Sequence, residues 1–211
     1  MKGERTMKNE RRPVMRPLRI AWHAVGLCLL GLVCHTGYCA ETSVLKISVD
    51  TTRMAGNSAG PFSIAIALTD GSGLAAGDTT VQVTDIGFSG GRALGGPVLF
   101  GGANGELGTA VTITNSSLLG LLVEPFSPGS ELTFSLSLTA GSNKSGTPDR
   151  LTVFILDGSG APIATLAPAG DYFVGIDLTS DDPSPETFGS DLSRRTFTGS
   201  PISIPRPKAE D

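Results

Sequence analysis

Leu132, Phe134, Leu136 and Leu138 are separated by Thr133, Ser135 and Ser137, so every second side chain is apolar. Strict alternation gives an extended chain one face for a core and one for water, and it cannot lay an apolar stripe along a helix. The pattern recurs between turn signals. Residues 44–50 set Leu45, Ile47 and Val49 on one face, and residues 62–68 do the same with Phe62, Ile64, Ile66 and Leu68. Residues 110–115 align Val111 and Ile113; residues 172–178 align Tyr172, Val174, Ile176 and Leu178, with Phe173 opposite. In 80–88 the apolar residues change parity, from Val81 and Val83 to Ile86 and Phe88, which predicts a β-bulge near Thr84. Residues 151–157 are apolar on both faces and read as a central strand. Helix signals are almost absent; residues 117–123 are the one stretch read as a short helix, with a strand as the alternative.

The punctuation agrees. Asp70-Gly71-Ser72-Gly73, Asp157-Gly158-Ser159-Gly160 and Pro128-Gly129 are turns, and 90–108 reads as a flexible glycine-rich stretch. Short strands at this spacing predict an all-β, antiparallel β-sandwich, jelly-roll-like, of about eight to ten strands. It is expected to span residues 41–179. Residues 180–211 read as an acidic, Pro-containing loop, with an edge strand at 197–204 and a disordered tail.

The first 40 residues are different. Residues 1–19 are basic, 20–33 are mostly apolar, and small and polar residues follow up to Ala40. That order is the order of a secretory signal peptide, and the apolar run is shorter than a membrane-spanning helix needs. Met7 and Met15 are alternative starts. Cleavage falls after Ala40, or after Cys39, which puts Gly37 at the −3 position. A retained signal anchor, or a lipoprotein acylated on Cys34 or Cys39, are the competing readings. The chain is thus expected to be exported, to the cell surface or the medium, with the periplasm as the alternative, and to have no membrane-inserted segment after signal removal.

Removing the leader removes all three Cys, both His and the single Trp, and leaves Tyr172 as the one Tyr. Disulfides, Cys/His metal sites, thiol catalysis and Ser-His-Asp triads are thereby excluded from the exported part. Of 16 Lys and Arg, seven lie in the leader; the other nine face 18 of the 20 acidic residues. With that balance and no basic stripe, nucleic acid is not an expected partner.

Carboxylates are the plentiful reactive groups. Asp181, Asp182, Glu186 and Asp191 cluster in one loop, and they are the candidate ligands for Ca²⁺, a hard cation that takes oxygen donors. Asp70 and Asp78 flank one glycine-rich turn, Asp157 and Asp171 another; all read more simply as solvated turn residues. No cofactor is otherwise expected. A carboxylate-only glycoside hydrolase is the third-ranked reading, weakened by the scarcity of aromatic platforms for sugars. Asn115-Ser116-Ser117 and Asn143-Lys144-Ser145 match the N-glycosylation pattern, which a bacterium would usually leave unused.

The order of pieces also resembles a family of uncharacterised secreted bacterial proteins, many of which carry a PEP-CTERM sorting tail. The resemblance rests on Val49-Asp50-Thr51, the small-residue segment 54–60, the strand 62–68, and the stretches 127–138 and 150–163. The family's tail is missing here; only Ile204-Pro205-Arg206-Pro207 echoes it. The resemblance implies an exported bacterial β-sandwich, often in an extracellular-polymer setting, and it brings no catalytic residues. The expected function is that of a non-enzymatic structural or adhesive protein of the bacterial surface or extracellular matrix. The alternative is a polysaccharide-binding module, Ca²⁺-assisted through the acidic loop. Extracellular polysaccharide and matrix proteins are the expected partners.

Overall fold

The computed structural model describes residues 43–141, 146–180 and 183–198, all within the unit Ala40–Asp211. The alternating runs become strands: β1 (Ser43–Asp50), β2 (Phe62–Thr69), β3 (Thr80–Ser89), β7 (Ala110–Thr114), β9 (Glu131–Thr139), β10 (Arg150–Leu156) and β11 (Val174–Asp177). Between and after them lie β4 (Arg92–Ala93), β5 (Val98–Phe100), β6 (Ala103–Glu106), β8 (Leu119–Ser127), β12 (Glu186–Thr187) and β13 (Arg194–Thr198).

They form an antiparallel β-sandwich. Sheet A runs β13-β1-β9-β3-β7-β6, and sheet B runs β12-β11-β10-β2-β8-β4, with β5 also on β8. Most successive long strands lie in opposite sheets, so the apolar faces of β1, β3, β7 and β9 meet those of β2, β8, β10 and β11. Leu45, Ile64, Ile66, Leu68, Val81, Val111, Ile113, Leu122, Phe126, Leu136, Leu151 and Ile176 are all fully buried there. Each such side chain stabilises the fold by about 1.5–3 kcal/mol against exposure. No helix among the described residues is long and apolar enough to cross a membrane.

The bulge is where the parity change places it. The β3–β9 ladder steps from Thr84 opposite Ser135 to Gly87 opposite Thr133, so Asp85 and Ile86 oppose the single residue Phe134. Asp85 takes a left-handed φ of 54° and is exposed, while Ile86 and Phe88 pack on the core. Phe88 stacks on Phe126 of sheet B, ring centroids 5.4 Å apart.

Several expectations are corrected. Residues 117–123 hold no helix; β8 alternates strictly in burial. Residues 90–108 are not merely a flexible stretch: β4 and β5 hydrogen-bond to the outer edge of β8, and β6 crosses back to β7 in sheet A. Main-chain hydrogen bonds need no side chain, so a glycine-rich segment can satisfy an otherwise open strand edge. The segment thereby closes one side of the sandwich, and it raises the strand count above the expected eight to ten. Residues 180–196 are not all loop. β12 pairs with β11 and β13 pairs with β1, so the edge strand starts at Arg194, and 199–204 lie outside the described residues. The leader, Met7, Met15 and the proposed cleavage site lie outside them too.

The two outer faces differ. Sheet A presents Lys46, Ser48, Gln82, Thr112, Thr133 and Ser137, the expected hydroxyl-rich surface. On sheet B, besides Ser63 and Thr152, the residues alternating with the core are Ala65 and Ala67 of β2, Leu121, Val123 and Pro125 of β8, and Phe154 and Leu156 of β10. The register sets Phe154 beside Ala65, Ala65 beside Val123, and Val123 beside Val98 of β5. The pattern of one apolar and one Ser/Thr face per strand therefore holds for sheet A and fails for sheet B.

Candidate functional site

Of the four carboxylates singled out as Ca²⁺ candidates, Asp181 and Asp182 lie outside the described residues. Glu186 and Asp191 are not brought together in a ligand set. Asp191 is exposed, and its main-chain carbonyl accepts from Arg53 Nη1 at 3.1 Å. Glu186 is drawn the other way, onto β10 and β11. Among the described residues no group of three or more His, Cys, Asp or Glu converges to hold a metal ion.

Glu186 instead belongs to a clasp on the outer face of sheet B. Arg150, at the start of β10, sends Nη1 to Asp177 Oδ1 at 2.5 Å and Nη2 to Glu186 Oε2 at 2.9 Å. Tyr172 donates its hydroxyl to the same Glu186 oxygen at 3.0 Å and accepts from Arg150 Nη2 at 3.0 Å. The guanidinium carbon lies 5.2 Å from the Tyr172 ring centroid, and Phe188 meets that ring edge-on at 5.3 Å. Gly175 makes this possible. A Cβ there would come within 2.7 Å of both Arg150 Nη2 and Tyr172 Cε2.

The parity expected for Tyr172 is therefore corrected. Its ring lies over Gly175 on the outer face, while Phe173 joins Val174 and Ile176 in the core. The backbone breaks alternation just before β11, which frees Tyr172 to cover the clasp. Its hydroxyl does lie at the sheet margin, against Glu186 of the edge strand β12.

The charges in the clasp fix one another. Hydrogen bonds from Arg150 and Tyr172 hold the Glu186 carboxyl below its ordinary range. Burial works to lower Arg150, but its bonds to Glu186 and Asp177 outweigh this and raise it. Burial and the Glu186 carboxylate push Tyr172 up. The phenol stays a neutral donor, and the clasp's work is to tie the two-residue strand β12 to the sheet.

The turn carboxylates have a different role. Asp149, buried just before β10, accepts from Thr79 Oγ1 at 2.5 Å, Asn115 Nδ2 at 3.0 Å and the Gly71 amide at 3.0 Å. Its own amide donates to Thr179 Oγ1. Asn115 also reaches Asp78 and accepts from the Thr79 amide. These bonds draw together the loops after β2, β7 and β9 and the end of β11. Asn115 is buried and its amide is engaged, so the first glycosylation match is closed; Asn143 lies outside the described residues. Asp70 closes its own turn by accepting from Ser72 and Ala75. Burial works to raise it, yet those hydrogen bonds win and hold it below 3.8. Asp157 accepts from Ser159 and Ala161 in the same manner, and Asp171 accepts from the Thr165 amide. The solvated-turn reading of Asp70 and Asp78 is thus too simple: with Asp149 they pin one end of the sandwich.

Two further features went unread in the sequence. Glu124 of β8 is fully buried, and neither carboxylate oxygen has a hydrogen-bond partner among the described residues. Burial raises its pKa from 4.5. Its signal was parity, since it alternates with Leu122 and Phe126 in LGLLVEPFS. The second feature is the margin of sheet B, where Leu94, Val98, Phe100 and Leu118 are exposed, Val98 and Phe100 each at 61%. A comparison with protein families, curated proteins and solved structures found no match.

Proposed function

We propose that this chain is an exported, non-enzymatic structural or adhesive protein of the bacterial surface or extracellular matrix, and that it works by surface contact. The observation that carries the reading is the apolar outer face of sheet B, continued at its β5 margin by exposed Val98 and Phe100. Water-exposed apolar area gathered on one face favours association with another surface. Sheet A, with its Ser/Thr face, supplies the soluble side. Export rests on the leader-like order of residues 1–40 and on the resemblance noted above.

The test uses purified protein and a V98T/F100S double variant, which alters exposed side chains and leaves the buried core alone. Sedimentation and adsorption to cell-surface material, with and without a panel of polysaccharides, are measured in Ca²⁺ and in EDTA. The proposal expects self-association or adsorption that the double variant weakens by about tenfold, equivalent to about 1.4 kcal/mol, and that EDTA leaves unchanged. Saturable binding to one polysaccharide that survives V98T/F100S would overturn it in favour of the polysaccharide-binding module.

A further inference from the structure

We propose that the glycine-rich segment carrying β4 and β5 is a hinged cover over Glu124, shut while this carboxyl is protonated and released from β8 when it ionises. Glu124 points into the sandwich between Leu122 and Phe126, both fully buried, and its two oxygens are unpartnered. A carboxylate cannot remain ionised in apolar surroundings without a donor or a cation, so ionisation demands water. The route for water is set by what borders β8. On one side β2 pairs with it over eight residues, Phe62 opposite Phe126 through Thr69 opposite Leu119. On the other side lie only the two residues of β4 and the three of β5.

The interruption between those short strands falls at Glu124. β4 ends with Ala93 opposite Phe126, and β5 begins with Val98 opposite Val123. Across 94–97 the Leu94 amide donates to the Pro125 carbonyl at 2.8 Å. Gly95 and Gly96 have open space where a side chain would be. Leu94, Val98 and Phe100 are exposed, so apart from Leu99, which packs on the core, lifting the segment uncovers little apolar surface that is not already in water. Segments with few buried contacts open at the lowest free energy.

No neighbouring charge answers Glu124. Among the strands that border or face β8, Arg92 on β4, Glu106 on β6 and Asp85 on β3 carry charge, and all three are exposed; β2, β5 and β7 carry none. Val98 and Phe100 belong both to this cover and to the contact surface proposed above; what sets the cover's opening is Glu124.

The experiment is amide hydrogen exchange of the whole protein and of E124Q from about pH 5 to about pH 8, corrected for the intrinsic rate. Gln keeps the shape and stays neutral. The expected result is that protection across 92–100 falls about tenfold more in the wild-type protein than in E124Q, while β2 and β9 behave alike in both. Equal profiles in the two proteins, or loss of protection throughout both sheets together, would overturn the proposal. Infrared spectroscopy of the wild-type protein needs no variant. The carbonyl band of a buried protonated carboxyl should vanish over the pH interval in which 92–100 loses protection. Loss of protection with that band intact would sink the idea.

Discussion

Two buried carboxyl groups, Asp149 and Glu124, sit in opposite circumstances. Asp149 is met by a hydroxyl and a main-chain amide from the loop between β2 and β3 and by a side-chain amide from the turn after β7. Glu124 is met by nothing polar among the described residues. The same functional group therefore locks one part of the sandwich and leaves another poised. What separates the two is whether donors arrive from elements that would otherwise be free to move. At the pinned end, the β2–β3 loop and the turn after β7 converge on one side chain, and Thr179, just after β11, holds its main-chain amide. Along the β4–β5 wall, the backbone is held by short ladders and contributes no side chain to the carboxyl beneath it.

The largest effect should come from breaking the satisfied cluster. Asp149→Ala leaves Thr79, Asn115 and the Gly71 amide without their charged acceptor, and should cost about 3–5 kcal/mol, read as a fall in the urea midpoint. A cost below about 1 kcal/mol would mean that water replaces the carboxylate and that the cluster is no pin. The opposite sign is expected at Glu124. Glu124→Met keeps an unbranched side chain and removes the unpartnered oxygens, so it should stabilise the fold by about 1–3 kcal/mol at neutral pH. Calorimetry should show that gain growing with pH. A carboxyl whose pKa is raised on folding contributes stability that is full below its ordinary value, 4.5, and is lost as pH rises through the folded value. Asp70 and Glu186 act the other way. Their lowered values contribute stability above 3.8 and 4.5, lost as pH falls through the folded values. The wild-type Tm should therefore peak in mildly acidic solution.

The smallest effects compare glycines. A Cβ on Gly141 would lie 2.3 Å from the Asp78 carboxylate, so Gly141→Ala should cost about 1–3 kcal/mol by thermal melting. Gly95→Ala and Gly96→Ala meet open space, and neither residue has a left-handed φ. They should be neutral or gain about 0.4–1 kcal/mol through a less flexible unfolded chain. A large loss at Gly95 would show that the wall is packed more tightly than the pinned end.

Legibility in the sequence followed side-chain periodicity. β1, β2, β7 and β9 could be read from alternation, β10 from a run apolar on both faces, and the β3 bulge from a change of parity. The wall escaped because Gly95, Gly96, Gly101 and Gly102 carry no pattern; its strands are specified by the open edge of β8, a tertiary fact. Phe173 and Tyr172 exchanged faces because Gly175 offers a surface that no local rule foresees. Glu186 could be recognised as a charged loop residue, but its partner Arg150 lies 36 positions away. Glu124 is legible by parity alone, against the ordinary expectation that a charged residue among apolar ones faces water.

The bulge at Asp85 and Ile86 makes β3 a strand with two reading frames. Before it, odd-numbered residues face inward; after it, even-numbered residues do. A bulge-free ladder through the same residues would put the whole second half out of phase, turning Ile86 and Phe88 to solvent and sending Asp85 inward, whereas deleting Asp85 would restore unbroken alternation and keep both inward. The Phe88–Phe126 stack that joins the sheets therefore depends on the ladder absorbing that one extra residue. The room the backbone makes for it, more than the chemistry of its side chain, keeps the two frames in phase.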